Sequence, residues 1–179
     1  MESNRDHCSC CSHPGSSSSV YQTLSEMDFE RGIWSAAVDG DLERLTLLVS
    51  LLSLMLMSYY SPQHYASRSG HLAVCKFLLV HGACASPQTP GGATPLHRAA
   101  YCGHVDVVRL LLQHKANPML CDDDGASALH KAAEKGHADV CQLLLQECPS
   151  LCSQRNNRQQ LPYQLAKQGD LQELLKPPP

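Results

Sequence analysis

A seven-residue stretch of this chain comes back 33 positions later with four residues unchanged. Thr94-Pro95-Leu96-His97-Arg98-Ala99-Ala100 returns as Ser127-Ala128-Leu129-His130-Lys131-Ala132-Ala133, and Gly103-His104 returns as Gly136-His137. The same step taken backwards lands on Ser61, followed by His64, Tyr65 and Ala66 and then Gly70-His71. A period of this size marks a stack of small supersecondary units, each of which can bury its apolar face only against its neighbours. The chain therefore reads as a solenoid, an architecture that usually works as a binding surface.

Within one unit the residues spell a short helix, a turn and a second helix. Thr94 is a good N-cap, Pro95 suits the first helical position because its missing N–H would be unpaired there anyway, and Gly103 can end the helix in a left-handed conformation. The first helix is expected from about Pro95 to Cys102. The second begins near Val105 and carries Val107, Val108, Leu111 and Leu112, an apolar stripe at helical spacing. Val74, Cys75, Leu78 and Leu79 form the equivalent stripe before it, and Val140, Cys141, Leu144 and Leu145 the one after it. Asn117-Pro118 and Asp122-Asp123-Asp124-Gly125 supply turns between units.

These residues resemble the ankyrin repeat, whose signature is Thr-Pro-Leu-His-x-Ala-Ala, then Gly-His and a leucine-rich second helix. The resemblance covers residues 61 to 156 and implies an all-α ankyrin repeat solenoid, with helix-turn-helix repeats and projecting hairpin turns. It divides the chain into a Cys/Ser-rich tail at 1–27, a degenerate capping repeat at 28–60, repeats at 61–90, 91–123 and 124–156, and a capping half-repeat at 157–176. It also implies structural roles for Thr94, His97 and Gly103 and for Ser127, His130 and Gly136, and more weakly for Ser61 and His64. In such stacks the turns and first helices form a concave face into which the variable motif positions point. Here those positions are Tyr65 and Arg68, then Arg98, Tyr101 and Cys102, then Lys131, Glu134 and Lys135. Basic side chains with two tyrosines are the mixture that interface anchors favour, so the expected partner is a protein with an acidic or mixed binding segment.

Charge balance excludes some alternatives. With 14 basic against 17 acidic side chains, nothing general draws the chain onto nucleic acid or an anionic membrane, and no direct nucleic-acid binding is expected. The N-terminus lacks the pattern of a secretion signal, so the chain is expected in the cytosol or the nucleus, as a monomer. Six of the ten histidines fall on repeated positions one unit apart, so they do not converge as a catalytic group would. No phosphate loop, His-Glu-x-x-His pair or serine elbow is present, and no cofactor is expected. Asp122-Asp123-Asp124-Gly125 lacks the spaced ligands of a calcium loop and reads as a turn with an acidic tip.

Ten cysteines would suggest disulfides in a small secreted protein, but Cys75 and Cys141 occupy the place of Val108 and read as small buried hydrophobes. The N-terminal run His7-Cys8-Ser9-Cys10-Cys11-Ser12-His13 is different. Cys8, Cys10, Cys11 and His13 are an alternative zinc set, although no second knuckle lies at conventional spacing. Two functions thus remain open: a noncatalytic interaction module or adaptor, and a zinc-assisted adaptor of the kind found in transcription or ubiquitin-ligase assemblies.

One stretch breaks the pattern. Between Leu45 and Gln63 there is no charge, Leu47 to Met57 is almost wholly apolar, and Gly40 to Gly70 spans 30 residues instead of 33. Gln63 stands where the next repeat has Leu96. A variant junction, a second helix that runs on, or a membrane segment would each explain this, although a membrane span needs about 20 predominantly apolar residues.

Overall fold

The computed structural model of the protein describes residues 24–51 and 62–177, with side chains described at 32–46 and 62–177. Ten α-helices follow in order: α1 (Leu24–Asp39), α2 (Leu42–Leu51), α3 (Pro62–Ser69), α4 (Leu72–Val80), α5 (Pro95–Cys102), α6 (Val105–Gln113), α7 (Ala128–Lys135), α8 (Ala138–Glu147), α9 (Pro162–Leu165) and α10 (Gly169–Leu175). A 3-10 turn at Pro149–Ser153 follows α8. No strand occurs among the described residues.

Local chemistry sets the helix limits. Thr94 is extended (φ −104°, ψ 167°) and its hydroxyl accepts the His97 N–H, Pro95 opens α5, and Gly103 closes it in the left-handed region (φ 81°, ψ 22°). The odd-numbered helices pack on one another in one layer and the even-numbered helices in a second. Between the layers lies the core. Leu96, Ala99 and Ala100 of α5 face Val107, Val108 and Leu111 of α6, all buried. Alanines on the first helix allow close approach, while each buried Val or Leu contributes about 1.5–3 kcal/mol. Cys75 and Cys141 are fully buried at the place of Val108. Burial pushes their thiols up to about 11 and about 12 respectively, so they behave as small hydrophobes.

Two ladders of histidines tie repeat to repeat. In the first, His64 Nε2 lies 3.0 Å from the Ala93 carbonyl, His97 Nε2 3.0 Å from that of Ala126, and His130 Nε2 3.2 Å from that of Gln160. Thr94 N–H donates to His97 Nδ1 (3.1 Å), so the ring proton sits on Nε2 and is given to Ala126. Ser127 N–H sets the same tautomer in His130 (3.2 Å). In the second ladder His104 Nε2 donates to Arg68 O (2.9 Å) and His137 Nε2 to Tyr101 O (3.1 Å). Gly70 is left-handed (φ 76°), and a Cβ there would come within 2.7 Å of the His104 ring, so both backbone and space demand glycine.

The same ladder extends to the irregular first repeat. His71 Nε2 lies 2.6 Å from Val38 O across 33 residues, where the later bonds each span 36. The three-residue deficit therefore lies between Val38 and His71, and α1 and α2 still stack on α3 and α4 as the later helices do. Residues 52–61, which include Ser61 and the end of the apolar run, lie outside the described residues. Gln63 is buried at the Leu96 position with neither amide atom hydrogen-bonded. No described helix is long and apolar enough to cross a membrane.

The inter-repeat turns are also copies of one another. Thr89 N–H donates to Ala93 O, Asp122 N–H to Ala126 O, and Asn156 N–H to Gln160 O. In each turn the first residue's side-chain oxygen accepts the last residue's N–H, at 3.2, 2.9 and 2.8 Å. The acidic tip joins its neighbours: Asp123 N–H reaches Gly91 O, and Asn157 N–H reaches Asp124 O.

Candidate functional site: the surface of the first helices

The variable positions of α3, α5 and α7 fall into three columns. Tyr65, Arg98 and Lys131 make one, Arg68, Tyr101 and Glu134 the second, and Ser69, Cys102 and Lys135 the third. Helical spacing explains the arrangement, because the intervening Ala66, Ala99, Ala100, Ala132 and Ala133 are turned into the core. Arg68, Tyr101, Glu134 and Lys135 are exposed, whereas Tyr65, Arg98, Cys102 and Lys131 are half-buried.

Neighbouring repeats combine at the second and third columns. Lys135 Nζ lies 4.5 Å from the centre of the Tyr101 ring, a cation over an aromatic face, and 3.8 Å from Glu134 Oε1. The Tyr101 hydroxyl is the chief cause that raises the Lys135 ammonium above its ordinary value. Tyr101 is 44% exposed, so an amphipathic ring is presented to solvent with a charge against it.

Lys131 is differently placed. Its ammonium lies 2.6 Å from Asp122 Oδ2 and 3.9 Å from Asp124 Oδ2. Burial alone would raise the Asp122 carboxyl; the bond from Lys131 and the Ala126 N–H outweigh it and hold that carboxyl below its usual value. Lys131 thus joins α7 to the preceding turn, and the surface around it is mixed in charge instead of basic. The sequence does not reveal this pairing, since nine positions separate the partners and the turn has to fold back to bring them together.

Tyr65 meets a residue outside the expected set. Its ring centre is 6.4 Å from that of Trp34 on α1, which joins the capping helices to the first full repeat. Trp34 occupies the motif position held by His97 when Gly40 is aligned with Gly103, and that alignment is the signal from which it could have been found. The possible zinc ligands Cys8, Cys10, Cys11 and His13 lie outside the described residues. Among those described, no three His, Cys, Asp or Glu side chains converge as a metal site, and all seven cysteines are free.

Comparison with known proteins agrees with this geometry. Residues 33–122 match the family described as ankyrin repeats (3 copies), and residues 103–145 match ankyrin repeats (many copies). The chain is 54% identical over 83 residues to human ankyrin repeat domain-containing protein 39, covering 45% of each chain. Against the cattle protein of the same name it is 55% identical over 67 residues, covering 36% of this chain and 37% of the relative. The chain thus spans less than half the length of the curated relatives it matches. Repeat-to-repeat histidine ladders, left-handed glycines and these matches place the chain in the ankyrin repeat family, whose members typically mediate protein–protein interaction and are generally noncatalytic.

Proposed function

We propose that this protein is a noncatalytic interaction module or adaptor that binds its partner on the surface of α3, α5 and α7. The observation that carries this reading is the exposed Tyr101 ring with Lys135 against it, one repeat beyond the exposed Arg68. A tyrosine offers a large rigid contact at little entropic cost, and Arg and Tyr are enriched among residues that dominate binding energy. The fitting partner carries an acidic or mixed segment with an apolar side chain to lie on the ring. We propose further that it acts in the cytoplasm or nucleus, as a monomer.

Affinity capture with crosslink mapping from cell lysate tests the site, using the full chain and two variants. Tyr101→Ala and Arg68→Glu should each weaken recovery of the partner at least tenfold, as expected for truncating or reversing an interface anchor. Crosslinks should fall at Lys131 and Lys135. Capture unchanged by both substitutions would move the binding site off the first-helix layer.

A further inference from the structure

Three junctions between repeats are closed by the same small device. His71, His104 and His137 are the N-cap residues of α4, α6 and α8. Each lays its ring against the left-handed glycine that ends the first helix of the preceding repeat, Gly40, Gly70 or Gly103, where a Cβ would come within 2.7 Å of the imidazole. Each also donates its Nε2–H to the carbonyl two residues before that glycine, Val38 O (2.6 Å), Arg68 O (2.9 Å) or Tyr101 O (3.1 Å). Carbonyls in the last turn of a helix have no partner within it, so the ring supplies a missing donor.

The junction after α7 keeps the cradle without the ring. Gly136 has φ 81° and ψ 23°, against 81° and 22° at Gly103. A Cβ on Gly136 would have Gln168 Nε2, at 4.0 Å, as its nearest neighbour, and among the described residues none donates to Glu134 O. Gln168 stands where a ladder histidine would, as the N-cap of α10. Its side chain stops short because α9 has four residues where α5 and α7 have eight. The chain then runs extended through Ala166 and Gln168 (ψ 130° and 132°), whereas the ladder histidines have ψ of 80°, 81° and 83°. Glu134 is exposed and Gly136 half-buried, so the cradle is open to solvent.

The three filled copies define the ligand that fits. A carbonyl can only accept, so the ligand must donate, and the negative end of α7 together with the Glu134 carboxylate disfavours an anion. A lysine ammonium is a compact, strongly hydrated charge with no flat face to lay on a glycine. We propose that Glu134 O and Gly136 receive a histidine side chain of a partner protein, its ring lying on Gly136 and its N–H donating to Glu134 O. The partner's ring repeats, between two molecules, the rung that His137 makes on Gly103 and Tyr101 O within this one. The side chains of Arg68 and Tyr101 take no part, so this contact stands or falls separately from the first-helix surface.

The test follows the backbone amide signals of the full chain by NMR while N-acetyl-histidine amide is added to about 0.1 M, a range suited to so small a ligand. Lys135, Gly136 and His137 should shift saturably, and Gly103, whose cradle already holds His137, at least fivefold less. N-acetyl-arginine amide, which offers a flat donor of another shape, should shift Gly136 at least fivefold less than the histidine compound. In Gly136→Ala the new methyl takes the place of the ring, and the saturable shift of Lys135 and His137 should disappear. A Gly136 signal in the natural chain that moves no more than Gly103 overturns the proposal without reference to any variant. An equal response to the arginine compound, or a shift that persists in Gly136→Ala, would also overturn it.

Discussion

Lys131 Nζ lies 2.6 Å from Asp122 Oδ2, so the side chain that sequence places on a binding surface also fastens α7 to the turn before it. The other Asp122 oxygen accepts N–H bonds from Asp124 (3.1 Å) and Ala126 (2.9 Å). One carboxylate therefore organises both the turn and its attachment.

Removing that carboxylate is expected to be costly. Asp122→Ala should destabilise the protein by about 1.5–3 kcal/mol, the range for lost hydrogen bonds to a charged group, and Lys131→Met by less. Chemical denaturation of the two single variants and the double variant checks this, and the double variant should lose less than the two singles together. Full additivity would mean the pair is not coupled.

Stability should fall in two windows as the protein is acidified. Burial holds His97 and His130 below the ordinary histidine value of 6.5, so between the folded values and 6.5 the unfolded chain binds more protons. Their contribution is complete above 6.5 and is lost as pH falls below it, by about 1.4 kcal/mol per pH unit for each full proton of difference. Asp122 is shifted down from 3.8, so its contribution is present above that value and is lost below it. Denaturation midpoints measured from pH 7.5 to 5 report the first window. His97→Gln, which keeps a donor for Ala126 O but does not titrate, should flatten the slope.

Gln63 is a site where one substitution should help. Both of its amide atoms are buried without partners, at a position where the next repeats carry Leu96 and Leu129. Gln63→Leu should stabilise the chain by about 1–3 kcal/mol through removal of unsatisfied polar groups. For a chain of this size that is about 2–4 °C in Tm for each kcal/mol. A lower Tm would show that the amide is satisfied in solution.

Gly103 and Gly136 offer a matched pair, since both have φ of 81°. A Cβ at Gly103 would meet the His137 ring at 2.7 Å, whereas at Gly136 the nearest atom is Gln168 Nε2 at 4.0 Å. The left-handed backbone should cost each alanine variant about 1–2 kcal/mol. Overpacking against the ring should add about 1–3 kcal/mol for Gly103→Ala alone. Equal losses in thermal unfolding would show that the ring moves aside freely.

Sequence alone determined the repeat, the limits of α5 from Pro95 to Cys102, and the apolar role of Cys75 and Cys141. Those features rest on signals that act within a few residues: a capping hydroxyl, a proline at the first helical turn, a glycine after the last, and a helical apolar period. Sequence also marked the Gly40 to Gly70 interval as short, but that α1 still stacks on the next repeat shows only in the His71 bond to Val38 and the contact between Trp34 and Tyr65. The partners of Lys131 and Cys148 were likewise set by tertiary structure. Lys131 meets Asp122 only when the turn folds back on α7, and Cys148 meets Met119 only when two repeats stack in register. Neither distance is encoded in local propensity, because each is fixed by the packing of segments 9 and 29 residues apart.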